Sequence, residues 1–241
     1  MKQKPGWVLP DLKEAQKRTT NTIDRIDTFT IPEVARMMGR GKTYFISTYG
    51  CQANERDSET LAGILDELGF TPNETAEGSD VIIINTCAIR QNAEEKVLGE
   101  IGNFKRLYRE NKDLIIGVCG CMAQEEGLVE TLLTKYPQVR LLFGTHNIQE
   151  LPSMLYSCMF EGKKVVKIYS KEGEVYENLP VHRFGTFKAW VNIMYGCDKF
   201  CTYCIVPYTR GKQRSRKMSE ILKEVQELKD EGYKEITLLG Q

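Results

Sequence analysis

The sequence lacks a net charge, a long hydrophobic run and a secretory signal. Its 33 lysines and arginines balance its 33 aspartates and glutamates, so no overall field attracts the chain to nucleic acid or to an anionic membrane. The longest aliphatic run covers residues 81–84, far below the roughly 18 residues that a membrane span needs. Residues 1–10 contain no apolar segment typical of a secretory signal. We therefore expect a cytoplasmic protein without a membrane partner, whose affinity for nucleic acid, if it has one, comes from a local patch.

The sequence also lacks internal repeats and low-complexity tracts, and its 241 residues are enough for one or two domains. Its eight cysteines then need an explanation. In a reducing compartment we do not expect them to form structural disulfides. Metal binding or catalysis is therefore the leading interpretation of these cysteines.

Apolar patterns alternate between strand-like and helix-like segments from residue 42 onward. Short apolar strands are predicted near residues 42–48, 81–84, 114–118 and 139–143, and residues 165–168 are predicted as an edge strand. Amphipathic helices are predicted between these strands. Strands that alternate with helices predict an α/β fold, a Rossmann-like open parallel sheet with right-handed crossovers.

A second unit is predicted to begin at residue 184, with a strand, an amphipathic helix and a further strand. Because a full parallel barrel needs about 250 residues, we expect this unit to be only the start of one, in a truncated fragment. The predicted organisation is a partly disordered N-terminal extension at 1–41, an N-terminal domain at 42–170, a linker at 171–183 and the beginning of the second domain at 184–241.

The sharpest signal is a C-x3-C-x2-C pattern that directly follows the first strand of the second unit. It is formed by Cys197, Cys201 and Cys204, which we call the three-cysteine loop. Structural zinc sites usually use four ligands, and no fourth ligand lies nearby in the sequence. Three soft thiolates instead suit an iron–sulfur cubane in which one iron stays open for another ligand.

A further group of cysteines is spread along the chain. Cys51, Cys87 and Cys121, which we call the dispersed set, each come just after the carboxyl end of a predicted strand. In an open parallel sheet these ends meet at one crevice, so the three thiols can form one site. Cys119 is an alternative ligand, because alternation along a strand puts it on the same side as Cys121. His146 could approach this site, although we expect a hydrogen-bonded structural histidine.

Residues 205–217 form a basic run without an acidic residue, in which Tyr208 is interleaved with the cations. Such a run can contact phosphate, and it can equally be a solvated loop and helix start. Our hypothesis is that Arg210 and Arg214 in this run line a substrate channel.

These motifs together resemble the radical S-adenosylmethionine methylthiotransferases, over about residues 42–241. The resemblance is carried by TYGCQAN at 48–54, NTCAIR at 85–90, GCMAQ at 120–124, FGTH at 143–146 and YGCDKFCTYCIVPYTRG at 195–211. Ala53 is a small departure, because we expect methionine at that position.

The resemblance implies two 4Fe–4S clusters and S-adenosylmethionine as cofactors. The three-cysteine loop would hold the cluster that binds and cleaves S-adenosylmethionine, and the dispersed set would hold an auxiliary cluster tied to sulfur delivery. Tyr203 matches a position near the adenine of the cofactor, and Gln241 matches a contact for its methionine moiety. The second unit would be the start of a radical SAM (β/α) partial TIM barrel, and a C-terminal RNA-binding domain would be absent.

The resemblance also implies modification of tRNA. One S-adenosylmethionine would methylate a sulfur at the auxiliary cluster, and a second would be cleaved to a radical that abstracts hydrogen from C2 of an adenine. The motifs favour N6-dimethylallyladenosine at position 37 of tRNA as the substrate. Sister enzymes that act on threonylcarbamoyl-adenosine in tRNA or on an aspartate of a ribosomal protein are alternatives, and a non-catalytic iron–sulfur or zinc module is a remote one.

The implied partners are the tRNA anticodon loop, whose single strand makes the base reachable, and an electron donor such as flavodoxin or ferredoxin. The sulfur donor does not follow from the sequence. We expect the fragment alone to be inactive toward tRNA, because most of the barrel is missing.

Overall fold

The computed structural model describes residues 4–17, 25–88, 91–171 and 174–240. Its strands are β1 (Arg25–Ile26), β2 (Thr43–Tyr49), β3 (Thr71–Pro72), β4 (Val81–Thr86), β5 (Ile115–Gly120), β6 (Val139–Phe143), β7 (Val165–Lys167), β8 (Val175–Tyr176), β9 (Lys188–Tyr195), β10 (Arg214–Ser215) and β11 (Glu235–Gly240). Its α-helices are α1 (Leu12–Gln16), α2 (Gln52–Glu67), α3 (Gln91–Glu110), α4 (Glu126–Lys135), α5 (Leu151–Phe160), α6 (Val206–Thr209) and α7 (Met218–Asp230). No helix in the described ranges combines the length and the apolar character that a membrane crossing requires.

Six parallel strands form the main sheet, in the order β3-β2-β4-β5-β6-β7. Helices α2 and α5 cover one face of this sheet, and α3 and α4 cover the other. Because both faces are covered, β4 and β5 are buried along their whole length, which explains their nearly continuous apolar sequences. The predicted α/β fold with an open parallel sheet is confirmed.

The second unit contains a three-stranded sheet in the order β10-β9-β11. β11 runs parallel to β9 after the crossover helix α7, and β10 is a two-residue antiparallel partner at the other edge of β9. Ile221 and Leu228 of α7 pack in one apolar cluster with Ala189 and Val191 of β9. The predicted strand, helix and strand are therefore present, whereas β10 is too short to show a periodic pattern in the sequence.

The segment that precedes residue 42 contacts both units. Trp7 donates its indole N–H to the carbonyl of Lys164 at 3.1 Å, next to the main sheet. β1 pairs in parallel with β8, and Lys217 at the start of α7 binds Asp27 at 2.7 Å. The domain boundaries that we predict from the sequence stay predictions.

A buried ion network joins the two units. Its members are three arginines and three glutamates: Arg56, Glu59, Glu177, Arg183, Arg216 and Glu224. Glu224 on α7 accepts hydrogen bonds from Arg183 at 2.7 Å and from Arg216 at 2.6 Å. It also binds Arg56, on α2, at 3.1 Å. Burial alone would raise the pKa of Glu224, but the attraction of the three arginines outweighs burial and lowers it.

We expect Glu224→Gln to lower the free energy of unfolding by about 3 kcal/mol, because it leaves three buried arginines without their shared carboxylate. Urea unfolding followed by circular dichroism measures the change. Glu227→Gln on the exposed side of the same helix is the matched control and should cost less than about 0.5 kcal/mol. Equal free energies of unfolding for the two variants would contradict the central role of Glu224.

Candidate metal centres

The strand order of the main sheet reverses between β2 and β4. The chain passes from β2 to β3 on one side and then returns to β4 on the other side of β2. In open α/β sheets, ligands bind in the crevice beyond the carboxyl ends of the strands at such a point. Cys51 follows β2 and Cys87 follows β4, so both lie beside this crevice. Cys121 follows β5, the next strand of the sheet, and completes the dispersed set.

The backbone at this sheet edge leaves no room for a side chain at two glycines. A Cβ atom on Gly50 would lie 2.7 Å from the Cβ of Cys87. Gly120 has a φ of +94°, and a Cβ atom there would collide with the carbonyl oxygen of Thr86. These close approaches hold the turns after β2 and β5 against the end of β4.

Buried amide side chains tie the start of α2 to the same edge. Asn54 donates to the side-chain oxygen of Asn85 at 3.1 Å and to the carbonyl of Thr86 at 3.0 Å. Asn85 donates in turn to the carbonyl of Asn54 at 2.8 Å and to the hydroxyl of Ser58 at 2.9 Å. Because buried hydrogen bonds are costly to leave unmade, this network fixes α2 and its N-cap residue, Cys51.

The thiol of Cys51 has a lowered pKa. A hydrogen bond from Cys87 lowers the pKa of Cys51 to about 5, against the opposing effect of burial. The backbone N–H of Asn54 and the nearby guanidinium of Arg210 act in the same direction as Cys87. The thiolate is the form of cysteine that binds a metal, so Cys51 has the properties of a ligand in the metal-free protein.

Cys119 is less suited to this role than Cys121. It lies in the apolar cluster that α2 and α5 form with the sheet. Burial, and then the electrostatic influence of the nearby Asp57 and Cys121 side chains, raise the pKa of Cys119. Its thiol therefore keeps its proton, whereas Cys121 lies outside that cluster, in the 3-10 turn Cys121–Gln124 that follows β5.

His146 lies buried in a polar cavity between the two units, which has about 60 Å³ of space for solvent. Burial, and then the charges of Arg214 and Arg210, lower the pKa of His146 to about 3, so its ring is neutral. Neither ring nitrogen has a hydrogen-bond partner in the part of the chain that the structure describes. The hydrogen bond that we expect of a structural histidine is therefore not found among these residues.

The three-cysteine loop begins where β9 ends and folds back on the segment that follows α6. The backbone N–H of Cys197 donates to the carbonyl of Gly211 at 3.0 Å, and that of Cys204 donates to the carbonyl of Cys201 at 2.9 Å. Cys201 is exposed, and the other two thiols are half-buried. The loop therefore leaves Cys201 open to solvent, where a small molecule can reach it.

The resemblance assigns two residues to cofactor binding, Tyr203 and Gln241. Tyr203 on the three-cysteine loop is 93% exposed, so its ring is open to a ligand. Gln241 lies outside the described residues. Phe200, next to Cys201, packs edge-on against Tyr208, with ring centroids 6.0 Å apart. This aromatic contact joins the three-cysteine loop to α6.

The donor chemistry of both cysteine sets fits an iron–sulfur cluster. All eight cysteines are free of disulfide bonds. Within the described ranges, no three cysteine, histidine or acidic side chains are placed to hold a single metal ion. A structural zinc ion needs four ligands in one tetrahedron, and each set supplies three thiols. Three soft donors are what a cluster with one open iron requires.

The two arginines that our hypothesis assigns to a substrate channel are buried. Arg210 binds Asp57 at 2.6 Å, and Arg214 donates to the carbonyl of Arg210 at 3.0 Å. Both line the cavity that contains His146, and their role toward a substrate stays a prediction. Sequence reasoning missed Asp57, because its partner is 153 positions away and no local pattern links them.

In the metal-free protein, we expect iodoacetamide to alkylate Cys51 at a rate that is nearly constant from about pH 8 to about pH 6, because a pKa of about 5 keeps its thiol ionised. The rate should fall below about pH 5, where the thiolate takes up a proton. Mass spectrometry of the labelled peptides measures both. Burial raises the pKa of Cys158 to about 11, so this thiol is the internal control and should stay unlabelled. A Cys51 rate that climbs about tenfold per pH unit over that range would contradict the low pKa.

Comparisons with known proteins agree with this picture. The model of UPF0004, described as an uncharacterized protein family, matches residues 43–144, and the radical SAM superfamily matches residues 191–241. The chain is also similar to curated proteins named tRNA-2-methylthio-N(6)-dimethylallyladenosine synthase. The protein of Geobacillus thermodenitrificans is 57% identical over 96% of this chain and 44% of its own length.

Two further relatives with the same name give the same result. The Staphylococcus saprophyticus protein is 58% identical over 96% of this chain and 45% of its own length. The Bacillus licheniformis protein is 56% identical over 98% of this chain and 46% of its own length. The chain thus spans less than half the length of the relatives that it matches. Its resemblance to the radical SAM methylthiotransferases, which the cysteine motifs predict, is thereby confirmed along nearly the whole of this chain.

Proposed function

We propose that this protein adds a methylthio group to C2 of N6-dimethylallyladenosine in tRNA by radical S-adenosylmethionine chemistry. The observation that carries the proposal is the position of two groups of three cysteines, one after the neighbouring strands β2, β4 and β5 of the main sheet and one on the loop after β9. The curated relatives, at 56% to 58% identity, are named for this substrate, and no observation favours the sister substrates.

Each site has properties that suit its proposed part. Radical SAM membership implies S-adenosylmethionine and a 4Fe–4S cluster, and a second cluster on the dispersed set is our proposal. Bound clusters would supply an electron for cleavage of S-adenosylmethionine at the three-cysteine loop and a holding site for sulfur at the dispersed set. The exposed loop leaves room for the cofactor, with Tyr203 available to lie against its adenine. In the dispersed set Cys87 and Cys121 are buried and Cys51 is half-buried, which limits the contact of bulk water with the sulfur.

The proposed partners follow from the same chemistry. A base in the anticodon loop is unpaired, so its C2 position can reach a buried site without opening a duplex. Cleavage of S-adenosylmethionine requires a reductant, for which we propose a flavodoxin or ferredoxin. The proposed location is the cytoplasm, where tRNA is modified.

Anaerobic reconstitution should give about eight irons and matching sulfide per chain, as expected for two cubanes. Cys197→Ala/Cys201→Ala/Cys204→Ala should lower the iron content to about four and abolish reductive cleavage of S-adenosylmethionine. Cys51→Ala/Cys87→Ala/Cys121→Ala should also give about four irons but retain that cleavage. Cys158→Ala, a buried cysteine outside both sets, is the control and should retain all the iron. A reconstituted protein that contains zinc but no sulfide would contradict the proposal.

Mass spectrometry of reaction products tests the choice of substrate. Extended to the length of its curated relatives and reconstituted, the protein should convert tRNA that carries N6-dimethylallyladenosine to the methylthio product, whereas the 241 residues alone should give none. Removal of the dispersed set by Cys51→Ala/Cys87→Ala/Cys121→Ala should abolish this product while the radical cleavage continues. A product on threonylcarbamoyl-adenosine or on a ribosomal protein, with none on the dimethylallyl substrate, would be evidence against this assignment.

A further inference from the structure

Arg210 is a buried cation at the junction of the two cysteine sites. It follows α6, the short helix that comes after the three-cysteine loop. Its guanidinium binds the carboxylate of Asp57 at 2.6 Å, and both side chains are more than nine-tenths buried. Asp57 lies on α2, whose N-cap is Cys51. One ion pair thus connects the segment after the three-cysteine loop to a helix of the dispersed set.

Hydrogen bonds hold the backbone around Arg210 in place. Its own N–H donates to the carbonyl of Val206 at 2.8 Å, and its carbonyl accepts from Arg214 at 3.0 Å. The preceding carbonyl, that of Thr209, accepts from the hydroxyl of Thr145 at 2.5 Å. Because the backbone is fixed, the guanidinium can move toward solvent only if its buried ion pair with Asp57 breaks.

Helix α6, which ends next to Arg210, packs against the turn Cys121–Gln124, so the guanidinium lies on the same side of the junction as the dispersed set. Burial alone would lower the pKa of Arg210, but the attraction of Asp57, Cys121 and Cys51 outweighs burial and raises it. Water screens such attractions weakly in a buried place. A change of charge at these cysteines therefore alters the electrostatic potential at Arg210, and the charge of Arg210 alters the potential at the cysteines.

We propose that Arg210 is a positioning residue that sets the reduction potential of the cluster on the dispersed set, with Asp57 as the opposing charge. This inference rests on the proposed function, because it requires a redox cluster on those cysteines. Adding an electron increases the negative charge there, and a fixed cation nearby stabilises it. A contact between Arg210 and an RNA phosphate would first have to displace Asp57 from a closed site.

The test is made in the Cys197→Ala/Cys201→Ala/Cys204→Ala background, so that only the cluster on the dispersed set is present. A redox titration followed by electron paramagnetic resonance gives its midpoint potential. Arg210→Met should make reduction at least tenfold less favourable, which is about 59 mV more negative for one electron. Asp57→Asn should move the potential in the opposite direction, because it removes an anion. Arg210→Lys keeps the charge and should stay near the background.

Arg216→Met is the matched control. Arg216 is a buried arginine of the same segment, but its partners are Glu177 and Glu224, and its replacement should leave the potential unchanged. Equal potentials for Arg210→Met and the background, or shifts of the same sign for Arg210→Met and Asp57→Asn, would overturn the proposal. If Arg210→Met assembles no cluster, the Asp57→Asn variant tests the proposal alone. A midpoint potential that is less negative than that of the background supports it, and one that is unchanged or more negative overturns it. A background protein that binds no iron would overturn the proposed function itself, and the inference with it.

Discussion

The pairing of buried charges along α2 is the interaction on which the arrangement of both cysteine sites depends. Arg56, Asp57 and Glu59 are nearly buried, and each meets an opposite charge from the second unit or from the segment that leads to it. A buried charge without a partner costs several kcal/mol, so α2 can lie at this interface only when those partners are in place. Because Cys51 is the N-cap of α2, the same pairing sets the spacing between the two cysteine sites.

The two sites have opposite environments that suit different tasks. The dispersed set is enclosed by the sheet edge, by glycines that permit close backbone contact and by a network of buried amides. The three-cysteine loop is held by fewer hydrogen bonds and keeps Cys201 and Tyr203 exposed. Under the proposed function, the enclosed site retains a reactive sulfur, and the open site exchanges a cofactor at every turnover.

The sequence predicts the main sheet and the cysteine positions well, because both depend on local patterns. Buried parallel strands are recognisable as short apolar runs, and a cysteine after such a run falls at the carboxyl edge of the sheet. The pair of Arg210 and Asp57 could not be predicted, because nothing in the local sequence of either residue indicates the other. The two-residue strands β1, β8 and β10 are too short for periodicity, and the unpartnered ring of His146 depends on tertiary packing alone.

The parallel pairing of β1 with β8 has a consequence for the order in which the protein folds during synthesis. Arg25 pairs with Val175, which leaves the ribosome about 150 residues later. At a synthesis rate of roughly 5–20 residues per second, β1 remains unpaired for about 8 to 30 s. The main sheet, whose strands all lie between these two positions, can be complete by then. The segment that contains β1, although made before the main sheet, can therefore take its final place only after the main sheet and β8 have been made.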